Sequence, residues 1–398
     1  MDYLKQKFGV TKPVFVLSVV SFLHDIASEM LYPVIPIFLT TVLGAPASVV
    51  GLIEGFAEAT ASFFKLFSGR LSDKLGKRKI FVVAGYVIAG IGKVFYGFAT
   101  SWHYVLAGKF GERLGKGVRT SARDAMIAEN TDYEKRGVVF GFHRSADTLG
   151  AVVGPLLAIV FLGLSDNNYR LIFFITLIPT TIAILLIVFF IKETPPLEKT
   201  EPVPSLSFKN ITKSKAFMLF LLVTVVFSLG NSADAFLILK AKALGLTMTD
   251  IILSYVLYNV MYFLCAVPAG RFADRLGSRK VLIVGIGLFA CIYISFGLIS
   301  NPVLVWLLFP LYGIYMALTE GVGKAYISRI VPKSELGSAY GLYYMATGFS
   351  LFFASLIAGL LFTYVGPSAP FYYGGGMAIL AFIAMAFSLN VCKRAECQ

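Results

Sequence analysis

Apolar residues run along this chain in long stretches, broken by short polar turns, and the pattern holds from one end to the other. An α-helix needs about 20 apolar residues to cross the hydrocarbon core of a bilayer. Each stretch therefore predicts a transmembrane helix. They fall near residues 13–39, 47–69, 79–99, 102–128, 137–163 and 170–192, then 214–240, 246–270, 280–299, 302–328, 336–363 and 368–391. Between the sixth and seventh the chain reads KETPPLEKTEPVP, a charged, proline-rich segment that cannot continue a helix. The pattern predicts an all-α membrane protein of twelve transmembrane helices: an N-terminal six-helix bundle over 1–192, a cytoplasmic linker over 193–213, and a C-terminal six-helix bundle over 214–398.

The halves are related. GRLSDKLGKRK from Gly69 to Lys79 returns 201 positions later as GRFADRLGSRK from Gly270 to Lys280. One phrase lies between the second and third spans and its copy between the eighth and ninth, so each reads as a basic loop and the bundles as pseudo-symmetric copies of one unit. Such an internal repeat is a mark of secondary transporters.

Composition removes the main competitors. Hydrophobic residues make up 57% of the chain and charged ones 14%, which no soluble domain of this size matches. The excess of 35 Lys and Arg over 22 Asp and Glu falls mostly in short connections, where it acts as a topology signal and not as a nucleic-acid surface. The positive-inside rule then places both termini in the cytoplasm, and the short external turns point to a cytoplasmic (inner) membrane. The run after Lys12 carries Asp25 and Glu29 and reads as a first helix, not a cleaved signal. Four cysteines without CxxC spacing are expected to be packing residues. There is no HExxH or GxSxG for an intramembrane enzyme, no P-loop for ATP, and no cofactor signature.

The doubled phrase resembles the loop signature of the major facilitator superfamily, through Gly69, Asp73, Gly76, Lys77, Arg78 and Lys79, then Gly270, Asp274, Gly277, Arg279 and Lys280. The resemblance spans the whole chain and implies that family's twelve-helix fold, monomeric function, and a cytoplasmic latch in which the Asp caps a helix and pairs with an Arg. GERLGKG in the fourth span resembles the R-x-x-x-G motif through Arg113 and Gly117, with Lys116 and Arg119 as departures; the family often uses that Arg in proton coupling. Gly141, Gly150, Gly154, Pro155 and Ala158 in the fifth span resemble the antiporter motif, which implies export.

Ionisable residues at membrane depth cost about 2.5–3.5 kcal/mol each even on the lenient insertion scale, so they face a cavity or a partner. Asp25 and Glu29 share a face of the first span, with His24 adjacent, and a carboxylate in a dry cavity can exchange protons near neutral pH. Aligning FLHDIASEM with FSLGNSADA sets Glu29 opposite Asp234 of the second half. The proton-coupling set is therefore Asp25, Glu29, Arg113 and Asp234. Glu54 and Glu58 share a face of the second span. The fourth carries a stripe in which Lys109, Glu112 and Lys116 are expected to line the cavity and Arg119 to Asp124 to lie at its cytoplasmic mouth. Arg144 and Asp147 of the fifth span, and Asn231, Tyr255, Asn259, Glu320 and Lys324 of the second half, complete the expected substrate cavity with His24 and Glu58.

The leading expectation is a secondary transporter that exports a small organic molecule by proton antiport, its partners being that substrate, protons and lipid. The alternative is movement of a metal ion, iron chelate or metabolite, drawn from His24, Asp25 and Glu29; one helix cannot supply a full coordination shell, so no metal site is assigned. A ligand-binding receptor derived from a transporter is the non-transport reading.

Overall fold

Proline and glycine decide where the apolar stretches become helices. The computed structural model describes residues 10–132, 136–193, 214–331 and 336–395, and among them every regular element is helical. Helix α1 (Lys12–Leu31) opens with Pro13 in its first turn and ends just before Pro33, which lacks the amide to continue it. The chain goes on as α2 (Val34–Ile37) and a π-turn (Phe38–Val42). The other helices of the first half are α3 (Ala47–Leu75), α4 (Lys79–Gly97), α5 (Trp102–Glu129), α6 (Arg136–Leu164), α7 (Tyr169–Ile175) and α8 (Leu177–Phe190). The second half contributes α9 (Lys215–Gly230), α10 (Ala235–Ala243), α11 (Met248–Leu276), α12 (Ser278–Leu298), α13 (Val305–Ile330), α14 (Leu336–Tyr364) and α15 (Ala369–Ala395).

Eleven segments among the described residues are long and apolar enough to span a membrane. The fourth expected span is present as a 28-residue helix, α5, but eight charged residues take it below the apolar threshold of the others. Many large apolar side chains point outward, among them Phe63, Val267 and Phe387, as lipid-facing residues do.

The expected basic loops are shorter than the sequence predicts. Helix α3 runs through GRLSDKL to Leu75, and α11 through GRFADRL to Leu276. Each stops only at a glycine with positive φ, Gly76 (63°) and Gly277 (91°), a conformation that costs other residues a steric clash. Gly69, Asp73, Gly270 and Asp274 thus belong to helices, not loops. The surroundings of Gly69 and the side chain of Asp73, like most of the 193–213 linker, lie outside what the structure describes.

The described residues pack as two units, one drawn from 1–45 and 56–202, the other from 46–55 and 203–398. In the first, α4 and α5 come together glycine on glycine: a Cβ on Gly92 would lie 2.6 Å from the Gly108 carbonyl, and one on Gly115 2.3 Å from that of Gly85. Val14 and Leu17 of α1, Val82 and Tyr86 of α4, Met126 of α5 and Ile187 of α8 form a buried core nearby. In the second unit an aromatic cluster joins Phe289, Tyr293 and Phe296 of α12 to Tyr312 and Tyr315 of α13 and Phe371 of α15. Residues 46–55 join that unit because Gly51 and Gly55 lie against the backbone of α14 at Ser355 and Phe352.

Candidate functional site

Within the first unit, one face of α1 and one face of α5 enclose a cavity of about 90 Å³. This is room for several waters or the polar end of a small solute. Helix α1 supplies His24, Asp25, Ser28 and Glu29, and α5 supplies Lys109, Glu112, Arg113, Lys116 and Arg119. The i, i+3, i+4 spacing of both sets puts each on one helix face.

Glycines hold the acids of α1 in place. Gly150 of α6 lies under Asp25, where an added Cβ would come within 2.9 Å of the Asp25 Cβ, and Gly154 lies under Glu29 at 3.0 Å. Side chains larger than hydrogen there would drive α1 away. Pro155 follows inside α6, and Ala158 is fully buried. A Cβ added at Gly141, from the same motif, would meet no neighbour within 4 Å among the described residues, so Gly141 makes none of the close approach expected of it.

Lys93 organises the opposite wall. It is fully buried in α4 and its Nζ lies 3.1 Å from the Glu112 carboxylate. Glu112 also accepts from the Tyr96 hydroxyl at 2.6 Å. The same Lys93 donates to Ser28 Oγ at 3.1 Å, and Ser28 Oγ sits 3.3 Å from His24 Nε2, so a polar chain runs from α5 through α4 to α1. Lys93 escaped the reading of the sequence, although a single cation midway along the apolar span 79–97 was the signal for it.

Arg113 pairs with Glu58 of α3 at 2.9 Å. Gly117, one turn on, makes that approach: its Cα faces Phe64 and Ala61 of α3 closely, and its carbonyl accepts from Ser68 Oγ at 2.9 Å. Arg119 and Lys116 line the same cavity as Asp25. The stripe predicted Arg119 at the cytoplasmic mouth. The residue is 5% exposed and lines the cavity, stacked 4.6 Å over the Tyr86 ring. Its Nε and Nη1 have no hydrogen-bond partner among the described residues. Lys109 stands 5.2 Å over the Tyr32 ring.

Arg144 and Asp147 are not among the cavity-lining residues. Asp147 lies 3.8 Å from His143 Nε2 on its own helix, and His143 is bracketed by Ser18 and Ser21 of α1. Arg123 reaches Ser21 Oγ at 3.0 Å and Asp124 at 3.0 Å.

In the second unit, the seventh span breaks after Gly230, and Asp234 precedes α10. Its carboxylate accepts from the Tyr312 hydroxyl at 2.7 Å and from that of Tyr258 at 3.4 Å. Asn231 donates to the Tyr315 hydroxyl at 3.1 Å. Glu320 accepts from Tyr262 at 2.6 Å and lies 3.3 Å from Lys324. Asn259 donates to the Tyr255 carbonyl within its own helix. Sequence reasoning named Asp234 but missed Tyr312, whose central position in α13 reads simply as apolar.

The motif connections are tied down at several points. Arg78 donates to Glu129 at 3.2 Å and to Ser72 at 3.0 Å, and Glu193 accepts from the amides of Arg78 and Lys79 at the start of α4. An acid there offsets the helix dipole. In the second unit Arg329 donates to Asp274 at 2.7 Å and to the Ala273 carbonyl at 3.1 Å, and Arg279 donates to the Met385 carbonyl. Among the described residues no three His, Cys, Asp or Glu side chains are grouped so as to hold a metal ion.

Known proteins resemble this chain in sequence and in fold. An uncharacterized MFS-type transporter of Methanocaldococcus jannaschii is 35% identical over 391 residues, 95% of each chain. A multi-drug resistance efflux pump PmrA homolog of Lactococcus lactis is 26% identical over 85% of each. Among solved structures, a point mutant of the nucleoside transporter NupG superposes with a TM-score of 0.81 at 15% identity, over 94% of this chain and 98% of that one. The sequence model of the Major Facilitator Superfamily matches residues 17–240 and 221–394. This chain, a multi-pass membrane protein built to move a small molecule, belongs to the Major Facilitator Superfamily.

Proposed function

We propose that this protein exports a small organic molecule by proton antiport across the cytoplasmic membrane, with both termini in the cytoplasm. The observation that carries the reading is the placing of Asp25 and Glu29 on the wall of a charged cavity, with Gly150 and Gly154 of the antiporter-like motif packed beneath them. Antiport requires that proton and substrate exclude one another from the transporter. Two carboxylates meet that requirement: protonated, they are neutral; ionised, they attract the positive group of a substrate. Binding of one species then releases the other, and alternating access carries each in its own direction.

Asp25 and Glu29 are the proton carriers in this scheme, and Arg119 with Lys116 takes the poising role that the motif assigned to Arg113. Asp234, held by Tyr312 and Tyr258, is the second half's counterpart. The direction of transport rests on the fifth-span motif and on likeness to the Lactococcus lactis efflux pump homolog. The Arg78–Glu129 and Arg329–Asp274 pairs act as latches that hold helix ends in one of the alternating states.

The test is purified protein in liposomes with an internal pH dye and an imposed proton gradient, challenged with lipophilic cations, organic anions, zwitterions and divalent metals. Proton movement triggered by one organic class, and lost in Asp25→Asn or Glu29→Gln, is the expected result. Full proton-coupled flux in both variants would refute the assignment, and flux on divalent metals alone would replace the substrate.

A further inference from the structure

The two walls of the cavity carry opposite charge, and one of them holds a cation that the protein leaves without a hydrogen-bond acceptor. Arg119 is 5% exposed, yet its Nε and Nη1 find no partner among the described groups. Leaving charged donors buried and unmade is costly, and folds keep such groups where a ligand completes them. Tyr86 covers a guanidinium face at 4.6 Å, so a ligand in the cavity meets the group at its in-plane edge, and the side chain turns toward the ligand to offer Nε and Nη1, which have almost no accessible surface. Those donors match a carboxylate or phosphate oxygen. Lys116, one turn earlier on the same face of α5, adds a second positive charge to the cavity wall.

Two other charged groups on that wall are already answered. Arg113 is paired with Glu58 at 2.9 Å, and Glu112 with Lys93 at 3.1 Å and Tyr96 at 2.6 Å. Across the cavity stand Asp25 and Glu29 of α1. A purely anionic solute reaching Arg119 would meet these carboxylates, and a purely cationic one reaching Asp25 would meet Arg119 and Lys116. A molecule carrying both charges complements both walls.

We infer that the transported substrate is a small zwitterion, its carboxylate held by Arg119 and Lys116 and its ammonium group set against Asp25 and Glu29. The inference rests on the antiport reading, in which the ammonium group takes the place of protons on the two acids. It adds a requirement that antiport alone does not make: an anionic group on the substrate.

Thermal stabilisation of the purified protein by ω-amino acids tests it. β-Alanine through 6-aminohexanoate cover the unknown charge separation, each beside its amide, which lacks the anion, and its N-acetyl derivative, which lacks the cation, all at one ionic strength. At least one amino acid should stabilise the protein while its amide and N-acetyl forms require about tenfold more compound or fail, the size expected for one charged hydrogen-bonding partner. Arg119→Gln should abolish that preference for acid over amide, and Arg119→Lys should restore part of it. Should Arg119→Gln not fold, the three matched compounds on the unaltered protein still decide the matter. Equal stabilisation by acid and amide overturns the inference, and so does no stabilisation by any member of the series. Proton flux in the liposome assay is read separately, so loss of the zwitterion leaves antiport standing, and loss of flux with the preference intact removes antiport alone.

Discussion

Lys93 carries the sharpest residue-level consequence. It is a fully buried ammonium whose charge is answered by Glu112, and breaking a buried pair from one side leaves the other charge stranded. Lys93→Met or Glu112→Gln alone should destabilise the protein by about 3–5 kcal/mol, and the double variant should recover most of the loss. Thermal unfolding of the three proteins in detergent measures this, and additive losses would mean that the pair contributes nothing as a pair. The acids of α1 and the cations of α5 were legible because charge inside an apolar run is conspicuous. Their pairings were not. Helical spacing told which residues share a face of α5 and left open that Glu58 would take Arg113, that Lys93 would take Glu112, and that Arg119 would turn inward over Tyr86.

Between helices, the small residues decide which faces meet. A Cβ on Gly150 or Gly154 would fall 2.8 or 2.7 Å from α1 carbonyls, so Gly150→Ala and Gly154→Ala should each cost about 1–3 kcal/mol and reduce transport by displacing Asp25 and Glu29. Gly141→Ala, with open space around it, should leave stability within about 0.5 kcal/mol of the parent. Measuring the melting temperature and initial efflux rate of the three variants separates a motif that packs α6 on α1 from one acting elsewhere; equal effects at all three sites would reject the packing account. The Asp274–Arg329 pair belongs to the same scale. Both side chains are well exposed, so Arg329→Ala should change stability by less than about 1 kcal/mol. A latch predicts more: the variant's transport rate should change although its melting temperature does not, and an unchanged rate would leave the pair an ordinary surface contact. The motif segments themselves were readable, but as loops. The helices run on to Gly76 and Gly277, α11 even through Pro268, and the apolar run ends earlier than the helix because a helix leaving a bilayer loses the need for apolar side chains before it loses its hydrogen bonds.

For the molecule as a whole, the basic connections predict an orientation that can be checked directly. In a variant lacking the native cysteines, single cysteines replacing the exposed Pro46 or Thr100 should react with a membrane-impermeant maleimide on intact cells, and one replacing Lys77 only after lysis. The reverse pattern would invert the topology and with it the sense of export. The division into twelve apolar stretches, the doubled phrase and the membrane setting were all written in the chain, since hydrophobic run length and the distribution of Lys and Arg depend on residue type alone. Span length and register emerged within a few residues of the observed helices for the same reason, with even the heavily charged α5 recovered as a helix. The cavity is of another kind. It exists because glycines bring α1 onto α6 and α4 onto α5 at backbone contact, and because the rotation of each helix then decides which charges neutralise one another and which face open space. Periodicity along one helix carries no information about the rotation of its neighbour, so the pairing of charges, and with it the unpartnered guanidinium of Arg119, came into being only when the helices packed.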